Sequence, residues 1–317
     1  MANALLEVYD LTRHFKSKNS IIRAVENVSF SIKRGETLGL VGESGSGKST
    51  VAKLILRLLD ITAGRVLYDG ADISSMPANK LRPYRRRMQM IPQDPFSSLN
   101  PQMSINASIR EPLKIHRLGN AREQENKVME MMEQVGIDPD ARFAFPGEFS
   151  GGQLQRIGIA RALILRPEFI ICDEPVSALD VSIQAQILNL LRDLQKEFQL
   201  TYLFIAHNLA VVERISDRVA VMYLGHLMEF SDVAAIYEHP LHPYTMALLK
   251  SVPRMDVNQK SERFILSGDI PSSSNPPQGC VFNTRCPVKT DICFRRIPGW
   301  RQIRDGHWVA CHLAKSD

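Results

Sequence analysis

Long apolar runs are missing from this chain. The longest, such as LILRLL and the segment around FIIC, fall far short of the roughly 20 residues a membrane-spanning helix needs. A secretory leader is missing too: MANALLEVYDLTRHF has no basic start followed by an apolar centre, and it meets Glu7 and Asp10 early. These two absences lead us to expect a cytosolic chain that docks on a membrane partner. No internal repeat is visible, and each motif described below occurs once. The chain also lacks a basic stripe. Its net charge is +5, but the positive residues are scattered, so nucleic acid is not an expected partner. The densest run, RPYRRR from Arg82 to Arg87, reads as a solvated loop or a partner contact.

What is present is enough apolar material for a sizeable core: 317 residues, 44% of them hydrophobic, as one large domain or two smaller ones. TLGLV, FIICD, TYLFIAH and RVAVMYL are short β-rich runs separated by helical stretches, the pattern of an α/β fold. SIQAQILNLLRDLQKEF places Ile183, Ile187, Leu190, Leu191, Leu194 and Phe198 on one helical face. Strand signals vanish from about Asn100 to Ala162, and AREQENKVMEMMEQVG spaces Val128, Met131, Met132 and Val135 as a helix does. The stretch of about residues 100–162 therefore reads as a helical subdomain inserted into the sheet. Beyond HPLHPYTMALLKSV the pattern breaks into a proline- and serine-rich linker, SGDIPSSSNPPQG. A boundary near Val252 would divide residues 1–252 from 253–317.

The chemistry is concentrated in a few motifs. GESGSGKST, Gly42 to Thr50, follows a strand and opens a helix. Gly42, Gly45 and Gly47, with Ser44 and Ser46 between them and Thr50 at the end, let the backbone wrap phosphates. Lys48 neutralises β/γ oxygens, and the Ser49 hydroxyl can ligate Mg²⁺. FIICDEP ends a strand in Asp173, placed to hold Mg²⁺ through water, with Glu174 as candidate general base. Cys172 reads as a small buried hydrophobe. His207 ends TYLFIAH, where it can reach a γ-phosphate and orient water; Gln93, after MQMIP, can sense the metal or that water. Ser150, Gly151, Gly152 and Gln153 stand at the start of another helix, whose N–H groups and dipole favour an anion. One chain thus carries two phosphate-binding features about a hundred residues apart.

GESGSGKST, Gln93, SGGQ, FIICDEP, SALD and His207 occur in the order found in ATP-binding-cassette (ABC) transporter ATPases, and the chain resembles that family over roughly residues 1–240. Phe149 stands where the family signature usually has leucine. The resemblance implies a P-loop NTPase core, ATP with Mg²⁺, and two nucleotide-binding domains paired head to tail. The glycine loop of one and the signature helix of the other then close on the same ATP, which accounts for the two phosphate-binding features. Ser177 to Asp180 would cross that interface. Phe15 holds the place of the adenine-stacking aromatic, ahead of what reads as a long loop, KSKNSIIRA. ATP would close the dimer and hydrolysis reopen it, with the helical subdomain and the Gln93 loop passing the movement to membrane subunits.

The tail narrows the resemblance. EHPLHPYTMALL, from Glu238, and GCVFNTRCPVKTDICFRR resemble the C-terminal extension of dipeptide/oligopeptide and nickel importer ATPases. His239 and His242 read as loop and helix-entry residues rather than metal ligands. Cys280, Cys286, Cys293 and Cys311 are separated by five, six and seventeen residues. A reducing cytosol disfavours stable disulfides, and the tight pairs usual for zinc are absent. Four thiolates can instead hold a 4Fe–4S cluster, with Arg285, Arg295 and Arg296 offsetting its charge. Spacing alone leaves iron–sulfur, zinc and simply packed cysteines open. The resemblance to dipeptide-importer tails implies the 4Fe–4S cluster.

It also implies the partners: a second, paralogous ABC ATPase, two transmembrane permeases and an extracytoplasmic binding protein, at the cytoplasmic face of a bacterial membrane. Peptides are the implied cargo, with nickel or another solute as the alternative. A soluble ABC ATPase acting on ribosomes or DNA is the alternative from another class. A single cassette without coiled-coil insertions or clamp domains speaks against it.

Overall fold

The computed structural model describes residues 4–17, 20–251 and 268–315, so Val252, the proposed boundary, lies outside the described residues. The chain divides into two compact units. One comprises residues 1–33, 37–75 and 206–317; the other comprises 34–36 and 76–205.

In the first unit, strands Ala4–Ser17 and Ser20–Lys33 form an antiparallel hairpin with Ser17 opposite Ser20 at its tip. KSKNSIIRA is therefore not a long loop. Its β-branched residues continue the strand, and only Lys18 and Asn19, outside the described residues, separate the two arms. Ala63–Tyr68 pairs with the other edge of Ala4–Ser17, placing Leu6 opposite Tyr68 and Val8 opposite Val66, all four buried. A second sheet holds Thr37–Val41 parallel to Arg218–Tyr223, which pairs antiparallel with His226–Asp232. The cysteine-bearing tail extends this sheet: His307–Val309 pairs with His226–Asp232, and Arg301–Arg304 with His307–Val309.

The second unit places Met88–Ile91, Phe169–Asp173 and Thr201–Ala206 side by side in parallel. Phe169–Asp173 is buried along its whole length, as a central parallel strand without polar alternation must be. Helices Ile105–Ile115, Ala121–Gln134 and Gly151–Leu163 fill the stretch where strand signals vanished. Val128, Met131, Met132 and Val135 are buried. On Val181–Phe198 the face predicted from spacing is the core face at Ile187, Leu191 and Leu194, while the Arg166 guanidinium covers Phe198. RPYRRR is not a loop: it lies in the helix Ala78–Arg87, anchored by buried Leu81. Arginine is a good helix former, and the Arg87 guanidinium grips Glu168 through two bonds of 2.8 and 2.9 Å.

Candidate functional site

In the first unit the strand Thr37–Val41 delivers the chain into the glycine loop, and helix Lys48–Ile55 leaves it. Gly47 sits at φ 103°, and a Cβ there would lie 2.3 Å from the Ala24 carbonyl oxygen, so only glycine fits. No side chain caps the helix, which leaves the start of its dipole suited to an anion. Lys48, 4% exposed, curls back to donate to the Gly42 and Glu43 carbonyls at 2.8 and 3.0 Å. The loop is braced from outside by Tyr244, which sequence reasoning passed over, and by Arg285, which it gave another role. The Glu43 N–H donates to the Tyr244 hydroxyl at 2.9 Å, and the Glu43 carboxylate accepts two bonds from Arg285, at 2.6 and 3.0 Å. His207 is exposed just beyond Thr201–Ala206, before the helix Leu209–Ile215 capped by Asn208. Phe15 is half-buried near the hairpin tip, with the Arg13 guanidinium 4.6 Å from its ring centre.

In the second unit, Asp173 ends its strand, 5% exposed, and the chain turns sharply at Glu174, whose φ is 48°. That turn is held by the Glu174 N–H on the Ile205 carbonyl and by the Ser177 hydroxyl on the Glu174 carbonyl. Gln93, two residues past Met88–Ile91, donates its side-chain amide to the Glu174 carboxylate at 3.0 Å. The two residues suspected from sequence thus meet. Ser150 caps helix Gly151–Leu163 in a reciprocal box with Gln153. Gly152 is required by packing, because a Cβ there would stand 2.7 Å from the Ile183 side chain. Asp180 caps Val181–Phe198, and the Ile183 N–H and Ser182 hydroxyl hold its carboxyl below the usual range. A cleft of about 390 Å³ opens between the Gln93 segment and the helical region, lined by Met90, Pro92, Glu111, Ile115, Gly158 and Arg161. Arg161 and Glu111 pair there at 2.7 Å.

In the tail, Cys280, Cys286, Cys293 and Cys311 are all buried and all free. Burial, first, and the neighbouring thiols push Cys280 up to about 11, and burial is likewise the main cause that raises Cys286 and Cys311. Among the described residues no group of three or more His, Cys, Asp or Glu is placed to hold a metal ion. Arg285, expected to offset cluster charge, is committed to Glu43 instead. His242 is a buried helix-entry residue: its Nδ1 accepts the Tyr244 N–H, and its own N–H donates to Glu229. Burial lowers its pKa to about 4.

The ABC transporter family profile matches residues 25–177, and the oligopeptide/dipeptide transporter C-terminal region profile matches 228–293. A putative peptide import ATP-binding protein of Brucella ovis is 53% identical over 307 residues, 97% of each chain. The chain belongs to the ABC transporter ATPases. The oligopeptide transport ATP-binding protein AppF of Bacillus subtilis is 52% identical over 319 residues, 98% of this chain and 97% of the relative. Among solved structures, the post-hydrolysis dimer of the ATP-binding cassette MJ0796 with ADP and Pi aligns at TM-score 0.66 and 28% identity, over 72% of this chain and 98% of that one. The cassette cbiO1 of Clostridium perfringens, part of the transporter complex cbiONQ, aligns at TM-score 0.67 and 25% identity, over 75% and 92%. As a member of this family the chain is an ATP-hydrolysing transport subunit with a P-loop NTPase core. No helix among the described residues is long and apolar enough to cross a membrane.

Proposed function

We propose that this ABC ATPase powers a membrane importer for peptides. The observation that carries the reading is the joint match to the cassette and to the oligopeptide/dipeptide C-terminal region. Relatives named for peptide import and oligopeptide transport are similar along nearly the whole chain. Gly42, Ser44, Gly45, Ser46, Gly47, Lys48 and Thr50 would cradle the ATP phosphates, and Phe15 would pack against the base. Ser49 is assigned to Mg²⁺, as are Asp173 and Gln93; bound there, Mg²⁺ neutralises phosphate charge. Glu174 would take the proton of the attacking water, with Gln93 and His207 orienting that water. Ser150, Gly151, Gly152, Gln153 and Asp180 would face the nucleotide of a second ATPase, a paralogue. The cleft beside Gln93 suits a helix of one of two permeases, which an extracytoplasmic binding protein would load.

The four tail thiols, deprotonated, would hold a 4Fe–4S cluster that staples the tail. What supports this reading is that the tail carries four free cysteines, all of them buried, which is the ligand number such a cluster takes. The test is affinity purification from gently solubilised native membranes. Two polytopic permeases, a second ATPase and a binding protein that loads peptides are expected. A binding protein that loads nickel would move the cargo, and recovery with ribosomes or DNA would overturn the transport reading.

A further inference from the structure

Glu43 is the second residue of the glycine loop, and each of its polar groups is engaged. Its carbonyl serves the loop itself, accepting Lys48 Nζ at 3.0 Å and the Ser46 N–H at 3.1 Å. Its N–H and carboxylate serve the C-terminal part of the chain. Tyr244, in helix Pro243–Ser251, accepts the N–H, and Arg285, between Cys280 and Cys286, takes the carboxylate in a two-pronged grip. The Arg285 side chain is 6% exposed and that of Glu43 24%, so this pair is shielded from water in a way surface pairs are not.

The grip is itself held rigid. The Arg285 guanidinium lies 5.8 Å from the Tyr223 ring centre. Tyr223, Tyr244 and Phe282 pack mutually with centroids 4.8 to 5.3 Å apart. Tyr223 ends the strand against which the loop begins, where a Cβ on Gly42 would lie 2.1 Å from the Met222 carbonyl. Lys48 Nζ donates to the Gly42 and Glu43 carbonyls, so the position of Glu43 helps set where the ammonium stands.

We infer that Arg285 is a positioning residue for ATP: by gripping Glu43 from the tail, it holds the glycine loop in the shape that receives the phosphates. The tail is then part of the nucleotide site, and its loss would weaken ATP binding without touching any group that contacts ATP. The inference rests on the loop being the phosphate site, which Lys48→Ala tests separately.

The experiment is a double-mutant cycle on the full-length chain with Arg285→Ala, Glu43→Ala and both together. It reads the ATP dissociation constant by calorimetry, KM and kcat for hydrolysis, and Tm. Each single variant should weaken ATP binding about tenfold and raise KM accordingly, with kcat changed less than twofold and the double variant no worse than either single. Arg285→Lys, which keeps the charge and loses the fork, should fall between. Should Arg285→Ala not fold, Glu43→Gln removes the partner charge while leaving the tail intact, and should show the same affinity loss. A lowered Tm with unchanged ATP affinity in these variants would make the contact a structural staple and overturn the inference. If Lys48→Ala also leaves affinity unchanged, the phosphate-loop reading falls, and this one with it.

Discussion

The side-chain amide of Gln93 donates to the carboxylate of Glu174 at 3.0 Å, joining two residues that lie 81 positions apart in the chain. The contact holds the carboxylate proposed as general base from one side, at a residue whose backbone is in the left-handed region. Glu174→Gln should therefore lower kcat by about 10²–10⁴ while ATP binding persists and a closed dimer accumulates. Single-turnover kinetics with size-exclusion chromatography in ATP would check this; undiminished hydrolysis would remove Glu174 from the role. Gln93→Ala should lower kcat less, because it removes one contact of the base and leaves the base itself in place.

Gly47 has no room for a side chain. Alanine there must find space against the Ala24 carbonyl, 2.3 Å away, at a backbone angle that side chains rarely adopt. Backbone cannot rotate aside as a side-chain tip can, so Gly47→Ala should cost about 1–3 kcal/mol in urea unfolding and weaken ATP binding. Gly45 sits at φ 79° with nothing near its missing Cβ, so Gly45→Ala meets strain alone and should cost less.

His242 predicts an acid-sensitive tail. Burial lowers its pKa to about 4, below the ordinary 6.5, because the imidazolium would lose water in a site where Nδ1 must accept the Tyr244 N–H. Between these values the unfolded chain binds a proton that the folded chain does not. Stability should thus be whole above about pH 6.5 and fall as pH drops towards 4, by up to about 3 kcal/mol from this residue. His242→Asn, which can keep an acceptor for Tyr244, should flatten that part of the profile; an unchanged slope would refute the assignment.

The tail cysteines carry a prediction about composition. Anaerobically purified protein should contain about four irons and four sulfides per chain with a broad visible band, as four-thiolate clusters do. Cys286→Ser should bleach the band and lower Tm. Zinc without iron would overturn the cluster reading.

Most of the fold and much of the site were legible along the chain, because local order wrote them there. The runs TLGLV, FIICD, TYLFIA and RVAVMY are strands because they are short, rich in β-branched and aromatic residues, and apolar throughout, as strands buried on both faces are. The glycine loop, Asp173, Glu174 and the Ser150 cap follow from spacing to a strand end or a helix start. RPYRRR misled because charge density was read as a loop, whereas arginine is a good helix former and its long side chain can find partners away from the helix, as Arg87 does on Glu168. The hairpin behind Phe15 misled because KSKN looks like the opening of a loop, although Ser17 already pairs with Ser20 and the strands run on either side.

What the sequence determined by itself is the chemistry available: a phosphate loop, an acid pair at a strand end, a capped signature helix and four thiols. What only the tertiary structure decided is which of these groups act on one another. Arg285 reaches Glu43 across 242 positions, and nothing local marks either residue for the other. The tail joins the sheet beside His226–Asp232 because that strand still had an edge of unpaired backbone to satisfy. Local periodicity records how a segment meets the core, whereas pairings over such distances are fixed by which buried donors and acceptors remain unpaired once the core has formed.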